Sequence, residues 1–154
     1  MNLLERFVLK HLQFTRLSAE VHRVARDPGR QEAKVELNLS PRLLQADSGD
    51  QLPAYQVSAR LSCRSGAEGR AEADFDALVG LEAVYQQVSG EPVDIAEFTA
   101  SHVSLTRQLY PLLQQELRSL MVRVGLEQIR LPFDLAAQPH SSDGHTVQVS
   151  GAVH

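Results

Sequence analysis

The hydrophobic period of this chain changes once, and that change divides the sequence into a strand-forming part and a helix-forming part. Before residue 90, four stretches alternate apolar and polar residues, which is typical of strands that bury one face. From about Ile95 to Val124 the apolar residues fall three or four positions apart, as on an amphipathic helix. Strands followed by a helix, without alternation between the two, predict an α+β fold with an antiparallel sheet.

The four predicted strands are joined by two kinds of connection. Two glycines in residues 65–69 favour a hairpin between the third strand and the fourth. The linker over residues 21–32 is long enough to cross the sheet, so the first strand need not pair with the second. Pro41 is expected to end the second strand, because proline has no amide proton to donate. The predicted strands cover residues 7–17, 33–40, 55–64 and 70–79.

The predicted helix carries one apolar stripe and two residues that limit it. Pro111 removes a backbone donor and is expected to kink or divide the helix near Leu109 and Tyr110. Gly125 is a plausible stop at the carboxyl end. One domain is predicted over residues 1–137, followed by a disordered polar tail over residues 138–154, where no periodic pattern is found.

Charge and composition exclude several classes of function. The chain of 154 residues has 15 Lys plus Arg against 19 Asp plus Glu, and this net charge of −4 opposes attraction to phosphate. Nucleic acid is therefore not expected as a partner. Cys63 is the single cysteine and cannot form an internal disulfide, which favours a cytoplasmic location. No run of about 18 apolar residues occurs, so direct membrane insertion is not expected.

Side chains that could carry chemistry are present but scattered. His102 could act as a base with Glu97 or Glu116, although a surface histidine on a helix explains it better. Cys63 lies on the apolar side of the third strand and is interpreted as a core residue, since burial raises the pKa of a thiol. No metal site is predicted, because three side chains capable of binding a metal fall in the loose tail: His140, Asp143 and His145.

Two further patterns leave alternatives open. The acidic row of Glu72, Asp74 and Asp76 shares one face of a strand, either as a solvated surface or as a docking strip for a basic partner. The apolar residues between Leu126 and Leu135 either close the core or line a groove for apolar segments of another chain. Periodicity does not separate these interpretations.

Several short motifs near the end of the chain follow one another in a fixed order. They are Leu109-Tyr110-Pro111, Ser119-Leu120-Met121 with Arg123, Gln128-Ile129-Arg130-Leu131 and Phe133-Asp134. This ordered set resembles the SecB family of bacterial export chaperones. The order of strands, crossover and long helix agrees with that family too, so the resemblance covers residues 7–137.

The resemblance implies a fold, an activity and partners. It implies a four-stranded antiparallel Greek-key sheet followed by a long, proline-interrupted helix, assembled into a homotetramer as a dimer of dimers. Members of the family hold unfolded preproteins in the cytoplasm and pass them to the motor ATPase SecA, with no cofactor, no metal and no catalysis of their own. The expected function is therefore that of an ATP-independent holdase in protein export, and the chain is expected not to be an enzyme.

Two sets of site residues follow. Acidic strand residues of the family meet a basic tail of the motor, and Glu20, Asp74 and Asp76 resemble them here. The expected client groove is apolar, and it comprises Val35, Leu37, Leu39, Leu126, Ile129, Leu131, Phe133 and Leu135.

The sequence also departs from the family. The crossover over residues 21–32 has no aromatic residue, Glu127 stands where the family has proline, and Pro139 ends the second helix of the family almost at once. Such divergence suits an alternative in which the chain guards an antitoxin in a toxin-antitoxin system. An alternative of another class is a small hot-dog thioesterase that uses Glu97, His102 and Asp134.

Overall fold

One antiparallel sheet holds all the strands that a computed structural model of the chain describes, and two helices cover one of its faces. The described residues are 2–23, 33–65, 74–132, 137–138 and 147–153. In chain order the elements are α1 (Leu3–Arg6), β1 (Phe7–Val21), β2 (Ala33–Gln45), β3 (Ala54–Ser65), β4 (Phe75–Gln87), α2 (Ile95–Ala100), α3 (His102–Arg123), β5 (Ala137–Gln138) and β6 (Val147–Val153).

The order of the strands in the sheet is β1-β4-β3-β2-β6-β5. Strands β2, β3 and β4 pair with their neighbours in sequence, whereas β1 lies beside β4, with Val21 opposite Phe75. This arrangement confirms the predicted four-stranded Greek key and the crossover after the first strand. The register sets Tyr55 opposite Tyr85 and Leu61 opposite Val79, so the apolar sets of β3 and β4 share one face.

The core lies between this inner face of the sheet and the helices. Helix α3 packs on β1, β3 and β4. Each fully buried leucine contributes about 2 kcal/mol through removal of apolar surface from water. The inner-facing side of α3 is the predicted stripe, and its buried members are Leu105, Leu109, Leu113, Leu117 and Met121.

An aromatic cluster connects α2 to the sheet. The ring of Phe98 stacks on Tyr55 at a centroid distance of 4.4 Å and meets Phe7 edge-on at 5.2 Å. Tyr85 lies 6.0 Å from the same ring. Since all four side chains are at most 2% exposed, α2 is fixed at the end of the sheet where β3 begins and β4 ends.

Two chain-breaking residues lie inside the elements that contain them and do not end those elements. Strand β2 does not end at Pro41, which lies opposite Val57, and the strand continues to Gln45. The described part of β6 begins at Val147, opposite Leu39, so within the described residues Pro41 has no strand partner on that side, and a missing amide proton is tolerated there. Pro111 lies inside α3, which continues through it.

The helical region divides at Ser101 instead. The hydroxyl of Ser101 lies 3.4 Å from the carbonyl of Glu97, and its ψ of 23° departs from helical geometry. Such bonding of serine to the preceding turn bends helices. At the other end Gly125 confirms the predicted stop, with φ of 82° and its amide donating to Val122, while Leu126 donates to Met121 as in a Schellman motif.

The tail contains a strand that the sequence analysis does not predict. Residues Val147–Val153 pair with β2, from Val147 opposite Leu39 to Val153 opposite Ala33. The signal for it is short, since Val147 and Val149 alternate with Gln148 and Ser150. Residues 139–146 and 154 lie outside the described residues, and the domain boundary at residue 137 stays a prediction.

Candidate functional site

An apolar pocket lies at the end of the sheet where β2 ends and the segment before α2 begins. We call it the end pocket, and its volume is about 620 Å³. Leu43, one of its side chains, is 50% exposed. Arg42, Asp47 and Asp94 supply its polar lining. The apolar lining comprises Pro41, Leu43, Ala46, Pro53, Tyr55, Pro92, Val93 and Ile95.

One wall of the end pocket is held by side-chain hydrogen bonds to the backbone. The hydroxyl of Tyr55 donates to the carbonyl of Val93, and the amide of Val93 donates to the side chain of Gln87 at 2.9 Å. Gln87 is 2% exposed and also donates to the carbonyl of Glu91 at 2.6 Å. Arg6 donates to that same carbonyl at 2.5 Å. Because these bonds exist without a ligand, the wall needs little ordering on binding.

Carboxylates surround this pocket. Burial raises the pKa of Tyr55, and the nearby charges of Asp94, Asp47 and Glu97 raise it further. Among the described residues no Lys or Arg forms an ion pair with these three carboxylates. The end pocket therefore combines an apolar lining with two carboxylates, Asp47 and Asp94, and one guanidinium, Arg42, which form no ion pair among the described residues.

The predicted groove residues do not line this pocket. Val35, Leu37 and Leu39 are fully buried on the inner face of the sheet, inside the core cluster that also includes Leu126 and Ile129. Alternation with a buried face is the physical reason, since it aims these β2 side chains at the helices. Leu131 is half-buried, and Phe133 and Leu135 lie outside the described residues.

A second cavity lies beside part of that predicted set. This helix-end cavity, of about 510 Å³, is formed by the last turns of α3 and the segment after it. Tyr110 and Gln114 both hydrogen-bond to the carbonyl of Pro132, which ties that segment to the helix. Its lining is Gln114, Arg118, Met121, Val122, Leu126, Glu127, Ile129, Arg130 and Leu131.

The predicted acidic face is assembled but largely compensated. Glu20 and Asp76 lie directly opposite each other on β1 and β4. Asp76 contacts Arg64 at 2.6 Å and His22 at 3.0 Å. Asp74 lies 4.0 Å from the guanidinium of Arg23, and Glu72 is outside the described residues. Among the described residues, Glu20, whose side chain is 74% exposed, has no basic partner other than His22, which lies 3.8 Å away.

No hydrogen bond or ion pair joins the two candidate catalytic residues that the structure describes, Glu97 and His102. The amide of Glu97 donates to Asp94 in the cap of α2, and His102 begins α3. Burial raises the pKa of the Cys63 thiol to about 12, as expected of a core cysteine. Within the described ranges no three His, Cys, Asp or Glu side chains are arranged to hold a metal ion. Asp134, His140, Asp143 and His145 lie outside those ranges.

No pattern in the sequence predicts the end pocket. Its residues come from three segments, 41–47, 53–55 and 92–95, and no single hydrophobic period joins them. The available signal is the set of three prolines beside apolar residues, Pro41, Pro53 and Pro92. No described helix is both long enough and apolar enough to cross a membrane.

The fold is that of the SecB-like chaperones. The chain is similar to the Mycobacterium tuberculosis SecB-like chaperone Rv1957, solved in complex with a ChAD peptide from the Rv1956 HigA1 antitoxin. The identity is 22%, the match covers 85% of this chain and 93% of that chain, and the TM-score is 0.61. No protein-family profile and no curated protein sequence matches this chain.

Proposed function

We propose that this protein is a SecB-like, ATP-independent holdase that binds unfolded polypeptide segments and catalyses no reaction. One observation carries the proposal: the likeness extends over 93% of a chaperone chain that was solved with a peptide of its antitoxin bound. Glu97 and His102 share no hydrogen bond or ion pair among the described residues, which gives no support to the thioesterase alternative.

Capture of apolar client side chains is the proposed mechanism. The end pocket offers an open apolar lining with a wall fixed in advance, and the helix-end cavity offers Leu131 beside Leu126 and Ile129. Burial of ~400 Å² of apolar surface yields ~10 kcal/mol before the costs of ordering the client, which offset most of it. Each site therefore binds weakly. Val35, Leu37 and Leu39 are core residues, so they stabilise the sheet and do not contact the client themselves.

Assembly into a homotetramer, as a dimer of dimers, would turn weak sites into useful affinity. A client held at one site meets the others at high effective concentration. The outer edge of β1 supports such an assembly, because among the described residues this strand of 15 residues pairs on one side only, with β4. Val8 and Leu17 are 47% and 51% exposed on that strand and offer apolar surface for a second copy.

An antitoxin is the client class we favour over an exported preprotein. The similar chaperone was solved with an antitoxin peptide, and the compensated acidic face here weakens the case for docking a basic tail of SecA. Delivery of preproteins to SecA in the cytoplasm is the second candidate. The position of Glu20 directly opposite Asp76, which brings two carboxylates together, favours it. A Glu20→Arg variant that captures clients but no longer binds the motor would support that candidate.

A pair of neighbouring leucines tests the proposed binding surface. Leu43 lines the end pocket, whereas Leu44, equally exposed at 48%, does not. The Leu43→Asp variant should bind an unfolded client about ten-fold more weakly, since a charge there must be desolvated when a client side chain enters. Leu44→Asp is the matched control and should bind as the parent chain does. An equal loss of client affinity in both variants, or no loss in either, would show that the end pocket does not bind the client.

A further inference from the structure

On the outer face of the sheet, one arginine lies on each side of a glycine. Arg16 of β1 and Arg60 of β3 both lie opposite Gly80 of β4, so the three residues form one row across the strands. A side chain built at Gly80 would place its first carbon 3.5 Å from the Cβ of Arg16 and 3.8 Å from the Cγ of Arg60. The stems of both arginines therefore flank the space that glycine leaves open.

Neither the guanidinium of Arg16 nor that of Arg60 is in an ion pair within the part of the chain that the structure describes. The nearest acidic residue along β4 is Glu82, and its two oxygens accept hydrogen bonds from Ser58 at 2.5 Å and from Gln56 at 2.9 Å. Two exposed positive charges thus lie in one row with no ion pair to a described carboxylate, in a chain whose net charge is −4.

The row continues as a line of hydrogen-bond donors. Asn38 of β2 lies opposite Arg60, so two guanidinium groups and an amide follow one another across four strands. Neighbouring strands are about 4.8 Å apart, which makes the row about 14 Å long. Paired guanidinium groups match carboxylate oxygens in geometry and in charge.

We infer that this row, Arg16-Gly80-Arg60-Asn38, is a docking surface for an acidic peptide segment of a partner protein, separate from the apolar sites that hold a client. The occupant is defined by charge complementarity, because two uncompensated guanidinium groups favour successive carboxylates. Gly80 keeps the middle of the row flat, so a backbone can approach it. A basic segment is repelled by the same two arginines.

Peptide binding to the full chain tests this inference. A fluorescent peptide rich in Asp and Glu should bind the parent chain, and a peptide with Lys at the same positions should not. The Arg16→Gln, Arg60→Gln double variant should bind the acidic peptide about ten-fold more weakly. The matched control is Arg107→Gln with Arg123→Gln, which removes the same charge from exposed sites on α3 and should bind normally.

A reversal of charge separates docking from a structural effect. The Arg16→Glu, Arg60→Glu variant should lose the acidic peptide and gain the lysine peptide, which unfolding of the chain would not produce. Client capture, measured on the same samples, should be unchanged, so failure of the holdase activity is distinguishable from failure of the docking row. Equal binding of both peptides by the parent chain, or binding of inorganic phosphate without any binding of the acidic peptide, would overturn the inference.

Discussion

The two ends of the sheet carry carboxylates in opposite circumstances. At the end where β1 stops and β4 starts, Asp76 is held by Arg64 and His22. At the end pocket, Asp47 and Asp94 line an apolar space with no ion pair to a described Lys or Arg. Carboxylates in ion pairs within their own chain stabilise the fold and are poorly available to a partner. Carboxylates without an ion pair beside an open pocket instead influence which charged groups of a client can enter it.

This difference between the two ends of the sheet changes the region that we assign to client binding. The acidic row in the sequence predicts a docking surface at the charge-paired end, where β1 stops and β4 starts. Periodicity shows which side chains share a face, but it does not show which cations lie beside them. The structure places Arg64 and Arg23 there, from β3 and from the residues after β1. The binding surface we propose is at the opposite end, where Tyr55, Gln87 and Val93 fix a wall in advance.

The largest expected difference between the two ends is in thiol reactivity. Cys63 lies opposite Ala77, at the charge-paired end, and burial raises its pKa from 9.0 to about 12. Near pH 8 the folded chain should therefore present about a thousand-fold less thiolate than the unfolded chain, and labelling by a disulfide reagent should follow unfolding. As a comparison, Ala46→Cys in a Cys63→Ala background should react at once, because residue 46 is an exposed rim position of the end pocket.

The pH dependence of that thiol has a definite sign. Because the folded chain holds the proton of Cys63 more tightly than the unfolded chain does, the contribution of Cys63 to the free energy of unfolding is constant below about pH 9 and falls between pH 9 and pH 12. Denaturant titrations of the parent chain and of Cys63→Ala should diverge in that range. Parallel curves, or rapid labelling of the native chain, would show that this end opens freely.

Removal of the central ring of the aromatic cluster should destabilise the pocket end strongly. Phe98 is fully buried and stacks on Tyr55, so Phe98→Ala should lower the free energy of unfolding by about 3 to 4 kcal/mol. Val103→Ala, at a position 45% exposed on the same helical region, should change it by less than about 0.5 kcal/mol. Urea titration measures both, and a small effect of Phe98→Ala would contradict the packing described for α2.

The wall of the end pocket should respond to a smaller change. Gln87→Leu leaves the buried amide of Val93 without its acceptor, and about 1 to 3 kcal/mol of stability should be lost. Hydrogen exchange at Val93 should speed up more than exchange in β3. Gln13→Leu, on the exposed outer face, is the control and should leave exchange at Val93 as in the parent chain.

The smallest expected effect is at the charge-paired end. Asp76→Asn should cost less than about 1 kcal/mol, since exposed ion pairs are weak and are screened by salt. Asp47→Asn should cost nothing measurable, because Asp47 has no ion pair with a described basic residue. If the two substitutions have equal effects at low salt and at high salt, the difference drawn between the ends is wrong.

The strands and the helix could be predicted from the sequence, because the hydrophobic period differs between the two kinds of element. The alternation on β2, β3 and β4 and the apolar stripe on α3 both follow from burial of one face. Gly125 could be predicted as the helix stop because it comes directly after the helical pattern. The break at Ser101 and the continuation through Pro41 depend on local hydrogen bonds and on edge position, which no periodicity records.

The site could not be predicted in the same way. The end pocket joins residues near 43 to residues near 93, and only the pairing of β2, β3 and β4 brings these segments together. Compensation of Asp76 by Arg64 likewise depends on the register between β3 and β4. Periodicity assigns Val35, Leu37 and Leu39 to an apolar face, and the structure shows that this face is the core.

Client holding is the central claim, and light scattering of an aggregating unfolded polypeptide tests it most directly. The full-length chain, added without nucleotide, should suppress aggregation, and Leu43→Asp should suppress it less than Leu44→Asp does. Scattering that rises equally with and without the protein would contradict the account.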